Sequence, residues 1–271
     1  MTAPAKIWDY RTLIGNLALR DLRSRYKKSV LGWMWSLINP AVTLGIYTVV
    51  FGFFLGGNAN APHAGNGTTQ SFALYLFCGL VAWNSFSNGI NQSIGSLLVA
   101  GPMLTRTYFP PECPILAGTV TTMIQTTIES SILLGFLVAV GNVGWTVLYL
   151  PVILLLLASF ALGVGLLVSL LNVRFRDVNY LVNIGLQLLF YATPIVYQLD
   201  RINAKIGGVN VRRVLLFNPM THYVDAMRKS AYLLRPPSFS NWLVMLVSSS
   251  VMLLVGWTVF SRKAPRFIEE I

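Results

Sequence analysis

The sequence predicts an all-α integral membrane protein with six membrane-spanning helices. An amphipathic interface helix precedes them, and re-entrant half-helices precede the last span. Three observations predict this. Of 271 residues, 55% are hydrophobic and 11% charged, against about 25% charged in soluble domains, and the mean hydropathy is +0.63. Residues 29–105, 130–173, 178–199 and 236–261 hold no Asp, Glu, Lys or Arg, which leaves room for several spans of ~20 residues. Bases crowd the stretch just before the first of these runs, where a cytoplasmic flank is expected. The chain divides into an interface helix, residues 1–30, and a six-span body, residues 31–271, with no repeat and no second domain.

The interface helix comes first. Asn16, Arg20, Arg23 and Lys27 recur at i, i+4, i+7 and i+11, on one narrow helical face. Tyr10, Leu13, Ile14 and Leu17 form a separate apolar face. Such a helix lies in the head-group layer with its stems buried and its cations wet. The cations serve either as a positive-inside anchor or as a collar for an anionic lipid head group.

The first span, residues 31–55, is rich in aromatics, with Trp33 and Trp35 at its cytoplasmic end and Pro40 inside it. Residues 56–70 are turn-rich and uncharged, hence a loop. The second span, 72–100, changes character midway: Asn84, Asn88 and Asn91 fall in one helical arc. Polar groups at membrane depth must face protein or water, so this arc is either helix-packing glue or the wall of a wet path. Residues 101–114, with Pro102, Pro110, Pro111 and Pro114, read as a stiff cytoplasmic connector. The third span, 115–140, has a polar face containing Gln125 and Glu129, and an ionisable group there is a candidate for function.

A turn at 141–144 leads to the most lipid-like span, 145–171. The basic loop 172–179 follows, then a fifth span, 180–197, interrupted near Pro194. Residues 199–240 mix bases, prolines and short apolar patches, with Asn218-Pro219 placed to break or start a helix. They read as two short helices dipping into the outer leaflet. The sixth span is 242–260. With the amino terminus inside, the bases from Lys6 to Lys28, together with Arg106, Arg174, Arg176, Arg262, Lys263 and Arg266, fall on the cytoplasmic side, and the two short outer loops carry none. Both termini are therefore expected in the cytoplasm. No cleaved signal peptide is expected.

Several chemistries are missing. There is no Gly-Lys dipeptide, hence no G-x-x-x-x-G-K-[ST] phosphate loop. No Asp-x-Asp and no Gly-x-Ser-x-Gly elbow occurs. Cys78, Cys113, His63 and His222 stand apart, without zinc-ligand spacing. The net charge of +11 on so apolar a body points to anionic lipids or phosphorylated substrates rather than nucleic acid. What remains is a protein that moves, holds or conducts something.

The order of parts resembles the permease subunit of type-two ATP-binding-cassette exporters, in the branch that exports polysaccharides. The likeness rests on RDLRSRYKKSVLGWMWSLINP near the amino terminus and LLFNPMTHYVDAMR before the last span, in the correct order and topology. It implies a homodimer in the cytoplasmic membrane of a bacterium, working with two separate ATPase subunits that bind the ATP and Mg. No cofactor is implied on this chain itself. The cargo it implies is a polyprenyl-diphosphate-linked glycan: O-antigen, teichoic acid or galactan. Arg20, Arg23, Arg25, Tyr26, Lys27 and Lys28 would form the lipid gate. Arg106, Tyr108, Phe109, Pro110, Pro111 and Glu112 would couple to the ATPase. Asn218, Pro219, His222, Asp225 and Arg228 would form an external gate within 211–234. Trp33, Trp35, Asn84, Asn88, Asn91, Gln125 and Glu129 would line the channel. The alternative within the class is a drug or small-lipid exporter, which gene neighbourhood would distinguish. A membrane glycosyltransferase and a passive channel are the rivals from outside the class.

Overall fold

The computed structural model describes residues 7–27, 29, 31–54, 61–104, 109–199, 205–206 and 209–268, and every structural statement below concerns these. Lys28, Arg106 and Tyr108, and the side chains of Arg25, Tyr26 and Trp33, lie outside the described residues.

The chain is helical almost throughout. Helix α1 is Arg11–Tyr26. A 3-10 turn, Gly32–Met34, leads into α2, Trp35–Tyr47, which continues as a π-wound segment, Thr48–Phe54. Pro40 lies inside α2, and the hydroxyls of Thr43 and Thr48 donate to the carbonyls four residues back, at 2.8 Å each. The carboxy-terminal part of this helix is thus wound away from the ideal α form. Helix α3, Phe72–Leu104, has 33 residues and α4, Glu112–Ala139, has 28. A 3-10 turn, Trp145–Tyr149, opens α5, Leu150–Arg174, and α6 is Val178–Tyr191. A two-residue antiparallel ladder pairs Lys205–Ile206 with Val209–Asn210. The short helices α7, Val211–Phe217, and α8, Pro219–Ala231, precede α9, Phe239–Ile268.

By length and apolarity three segments suffice to cross a bilayer: Glu112–Ala139, Trp145–Arg174 and Phe239–Ala264. Helix α3 is long enough, but its asparagines lower its apolar character. Helix α6 has 14 residues, or ~21 Å at 1.5 Å per residue, which is less than a ~30 Å hydrocarbon core. It stops before Pro194, so the fifth apolar segment is a shorter helix than residues 180–197 predict.

The connector is also shorter than expected. Helix α3 runs on to Leu104 and α4 begins at Glu112, so helix occupies both ends of 101–114. Pro114 is tolerated because it falls in the first turn of α4, where an N–H has no helical partner.

Helix α5 is the central staff. Of its most apolar stretch 56% is buried, against 28% for α4 and 22% for α9. It packs along α9 and α3, and α8 closes over the same core. Backbones approach closely at the α5–α9 crossing: a methyl on Gly163 would overlap the Met252 backbone, and one on Gly256 would overlap Gly163. Small residues are what allow such contact between membrane helices. Phe86 of α3 stacks on Phe160 of α5 at 5.2 Å, and Phe160 stacks on Tyr223 of α8 at 5.8 Å. The Tyr223 hydroxyl then donates to the Met245 carbonyl of α9 at 3.1 Å.

Distant loops are knitted at the end of the bundle opposite α1. Asn142, 1% exposed, donates to the carbonyls of Ala231 and Tyr232 and accepts from the Asn66 amide, at 3.2, 2.9 and 3.0 Å. Leu234 adopts φ +51° and packs against Gly65 and Gly144, leaving no room for a side chain at Gly65. Positive φ is costly for leucine, and the surrounding contacts hold it there.

Candidate functional site

Helix α1 does not lie alone in the interface. Its Leu17, Ala18 and Leu22 are buried, Leu17 and Ala18 cluster with Ala117 of α4, and the Thr121 hydroxyl donates to the Ala18 carbonyl at 3.4 Å. The buried face is thus rotated toward Ala18 and Leu22, since Tyr10, Leu13 and Ile14 are only half-buried. The opposite face is the predicted cationic one. Asn16, Leu19, Arg20, Arg23, Ser24 and Lys27 line a groove of about 540 Å³. Arg20 is anchored: Nη2 and Nε reach Asp21 at 3.2 and 3.4 Å, and Nη1 contacts Met103 Sδ of α3 at 3.1 Å. That ion pair is surface-exposed, worth ~0–1 kcal/mol, so a stronger anion can recruit the guanidinium.

A second cavity, of about 320 Å³, opens where α2, α3 and α4 meet. It is lined by Trp35, Ser36, Asn39, Pro40 and Thr43 of α2, Phe77, Asn84 and Asn88 of α3, and Gln125 and Glu129 of α4. The structure therefore brings Trp35, Asn84, Asn88, Gln125 and Glu129 to one wall. Asn91 is not in this wall, and its amide oxygen is buried with no partner among the described residues. Ser36, Asn39 and Thr43 add a polar edge from α2. Their i, i+3, i+7 spacing is the signal, obscured by the aromatic bulk of that span. The cavity offers amide, hydroxyl and carboxyl groups beside an indole ring that is 41% exposed. Such a set can exchange hydrogen bonds with hydroxyl-rich matter.

The other named residues fall as follows. Phe109, Pro110 and Glu112 are buried within the chain and Pro111 is half-buried. Asn218 ends α7 and caps α8: its side chain accepts from the Met220 amide at 3.0 Å and donates to Thr193 Oγ1 at 2.9 Å, with Pro219 at the first helical position. His222, Asp225 and Arg228 lie in the wall of a third cavity, of about 280 Å³, between α8 and the start of α9. His222 Nδ1 meets Asn241 Oδ1 at 3.2 Å, the Asn241 amide donates to Asp225 Oδ2 at 2.9 Å, and Lys229 Nζ lies 2.7 Å from the same oxygen. Lys229, Arg212 and Asn241 share this wall. Lys229 stands one turn from Asp225 on α8, a spacing legible in sequence.

A helical bundle with membrane-length apolar helices, a polar cavity at their meeting point and a cationic groove at one end is the architecture of a membrane transport subunit. The family described as ABC-2 type transporter matches residues 12–232, and the chain belongs to that family. It is similar to the O-antigen export system permease protein RfbA of Myxococcus xanthus, 26% identical over 268 residues, 98% of each chain. An RfbA of Klebsiella pneumoniae is 25% identical over 266 residues, 97% of this chain and 95% of the relative. The polysialic acid transport protein KpsM of Escherichia coli is 24% identical over 255 residues, 91% of this chain and 92% of the relative.

Proposed function

We propose that this chain is the transmembrane subunit of an ATP-driven exporter that carries a polysaccharide, linked through diphosphate to a polyprenyl lipid, across a bacterial cytoplasmic membrane. The observation that carries this is the exposure of Asn39 and Asn88 at the mouth of the α2–α3–α4 cavity. In a lone bundle these amides would face hydrocarbon, at a cost of ~1–3 kcal/mol for each unpaired group. A second copy related by a two-fold axis would turn both faces onto a shared wet path, with Glu129, Asn84 and Gln125 behind them. The groove on α1 supports a head-group gate below that path, since a diphosphate needs cations before it leaves the head-group layer.

Six crossings would come from α2, α3, α4, α5, α6 with the turn after it, and α9, with both termini cytoplasmic. The pair α7 and α8 would form a re-entrant external gate. Two ATPase subunits would supply hydrolysis, since the chain lacks a phosphate loop. The names of the relatives support a polysaccharide cargo over a drug or small lipid.

Two measurements test this. Affinity-purified protein should bring an ATPase with it at about equal stoichiometry. Asn39→Leu with Asn88→Leu should leave expression intact and trap lipid-linked glycan on the cytoplasmic side. Undiminished export by that double variant, or purification with no ATPase, would overturn the proposal.

A further inference from the structure

The cavity where α2, α3 and α4 meet carries one ionisable group. Glu129, half-buried near the middle of α4, is an acid, and no Lys, Arg or His joins it in the wall among the described residues. The rest of that wall is amides and hydroxyls beside the exposed indole of Trp35. Cations gather elsewhere, with Arg20, Arg23 and Lys27 along the α1 groove.

Such a division sorts cargo by charge. Neutral sugars bring hydroxyls, which the wall meets with hydrogen bonds, and C–H faces, which an indole plane covers. A uronic or sialic acid brings a carboxylate instead, and on leaving water for this wall it meets no cation. With Glu129 ionised, the two carboxylates repel more strongly than in bulk water. With Glu129 protonated, the charge of the sugar is still unpaired at membrane depth. Both forms therefore disfavour an acidic glycan. The diphosphate of the carrier meets this carboxyl once per molecule, whereas an acidic repeat meets it with every unit that passes.

We propose that Glu129 sets the charge selectivity of the passage, so that the cargo is an uncharged glycan and acidic glycans are rejected. The selectivity takes from the proposed function that this cavity walls the export path. A carboxyl that only tied helices together would serve neutral and acidic cargo alike.

The test uses full-length protein with its co-purified ATPase in proteoliposomes. Two polyprenyl-diphosphate oligosaccharides are compared, alike in length and linkage, one of hexose and one with a hexuronic acid in each repeat. Each carries a terminal fluorophore, and a membrane-impermeant quencher reports the fraction that has reached the leaflet distal to the ATPase. The readout is the ratio of ATP-dependent export rates, acidic over neutral, which a general loss of activity does not move. The native protein should export the acidic cargo roughly tenfold or more slowly, as a like-charge encounter in a poorly hydrated site predicts. Glu129→Gln, which keeps the shape of the side chain, should raise the ratio roughly fivefold or more, and Glu129→Asp should hold it near the native value. Asn88→Asp adds a second carboxylate at the exposed edge of the same wall and should lower the ratio further, which tests the selectivity even where Glu129→Gln does not assemble. Equal export of both cargoes by the native protein, a ratio unmoved by Glu129→Gln in assembled protein, or a ratio unmoved by Asn88→Asp would each overturn the proposal and leave the export path standing. If neither glycan crosses with ATP, the transport function itself falls, and the selectivity with it.

Discussion

Replacing Arg20, Arg23 and Lys27 together by alanine removes the cationic wall of the α1 groove but not what docks the helix. Docking runs through Leu17, Ala18 and Leu22 and the Thr121 bond to the Ala18 carbonyl, all on the other face. Each cation near a membrane surface is worth ~1 kcal/mol toward an anionic lipid. Arg20 contributes less, because Asp21 and Met103 already engage it, while Arg23 and Lys27 are exposed. The sum is roughly 2–3 kcal/mol, or about 30- to 150-fold in affinity for a diphosphate lipid. The assay is binding of farnesyl diphosphate to purified protein at low and high salt. Export of lipid-linked glycan in cells is measured in parallel. Affinity should fall by that factor, and the residual binding should lose most of its salt dependence, since screening acts on exposed charges. Full export with unchanged affinity would refute the gate and leave these residues a purely orienting role.

Other expectations follow from packing and buried polar groups. Gly163→Leu forces side-chain atoms into the Met252 backbone; overpacking costs ~1–3 kcal/mol, read as a lower thermal midpoint in detergent. Asn142→Ala strands two carbonyls and an amide at the knitted loops; at ~1–3 kcal/mol per orphaned group, limited proteolysis should cut the 61–71 and 140–146 segments faster. If α5 spans the bilayer as proposed, Asn88→Cys should react with a small water-soluble methanethiosulfonate, and Leu155→Cys, on an exposed apolar face of α5, should not. The native thiols give little background, since Cys78 and Cys113 are both fully buried. Equal labelling at the two positions would contradict a wet cavity.

What the sequence reveals about this fold divides by range. Asn218-Pro219 marks the junction of α7 and α8 because capping chemistry is local: an amide acceptor and a missing N–H act within three residues. The asparagine arc of α3 and the Gln125–Glu129 face of α4 emerge from helical periodicity alone, and the structure sets them against each other. Ser36, Asn39 and Thr43 were legible by the same rule but hidden among bulky aromatics. Asn91 shows the limit of periodicity, since sharing an arc with Asn88 did not put it in the same cavity. The docking of α1 on α4 needs the small surface of Ala117 and Thr121, the latter 103 residues from Ala18 in sequence. The Asn142 contacts and the α8–α9 cavity likewise join residues far apart in sequence. Proline alone does not mark the end of a helix here: Pro114 sits in the first turn of α4, where its missing N–H costs no helical bond.

Transport itself can be watched in reconstituted vesicles. The protein and its co-purified ATPase would be placed in proteoliposomes loaded with a lipid-linked glycan, and a membrane-impermeant lectin would sample the leaflet distal to the ATPase. Glycan should reach that leaflet only with hydrolysable ATP, and Asn39→Leu with Asn88→Leu should block its arrival while the ATPase still binds. Glycan that crosses equally well without the ATPase, or through the double variant at the normal rate, would mean that this cavity is no part of an ATP-driven path.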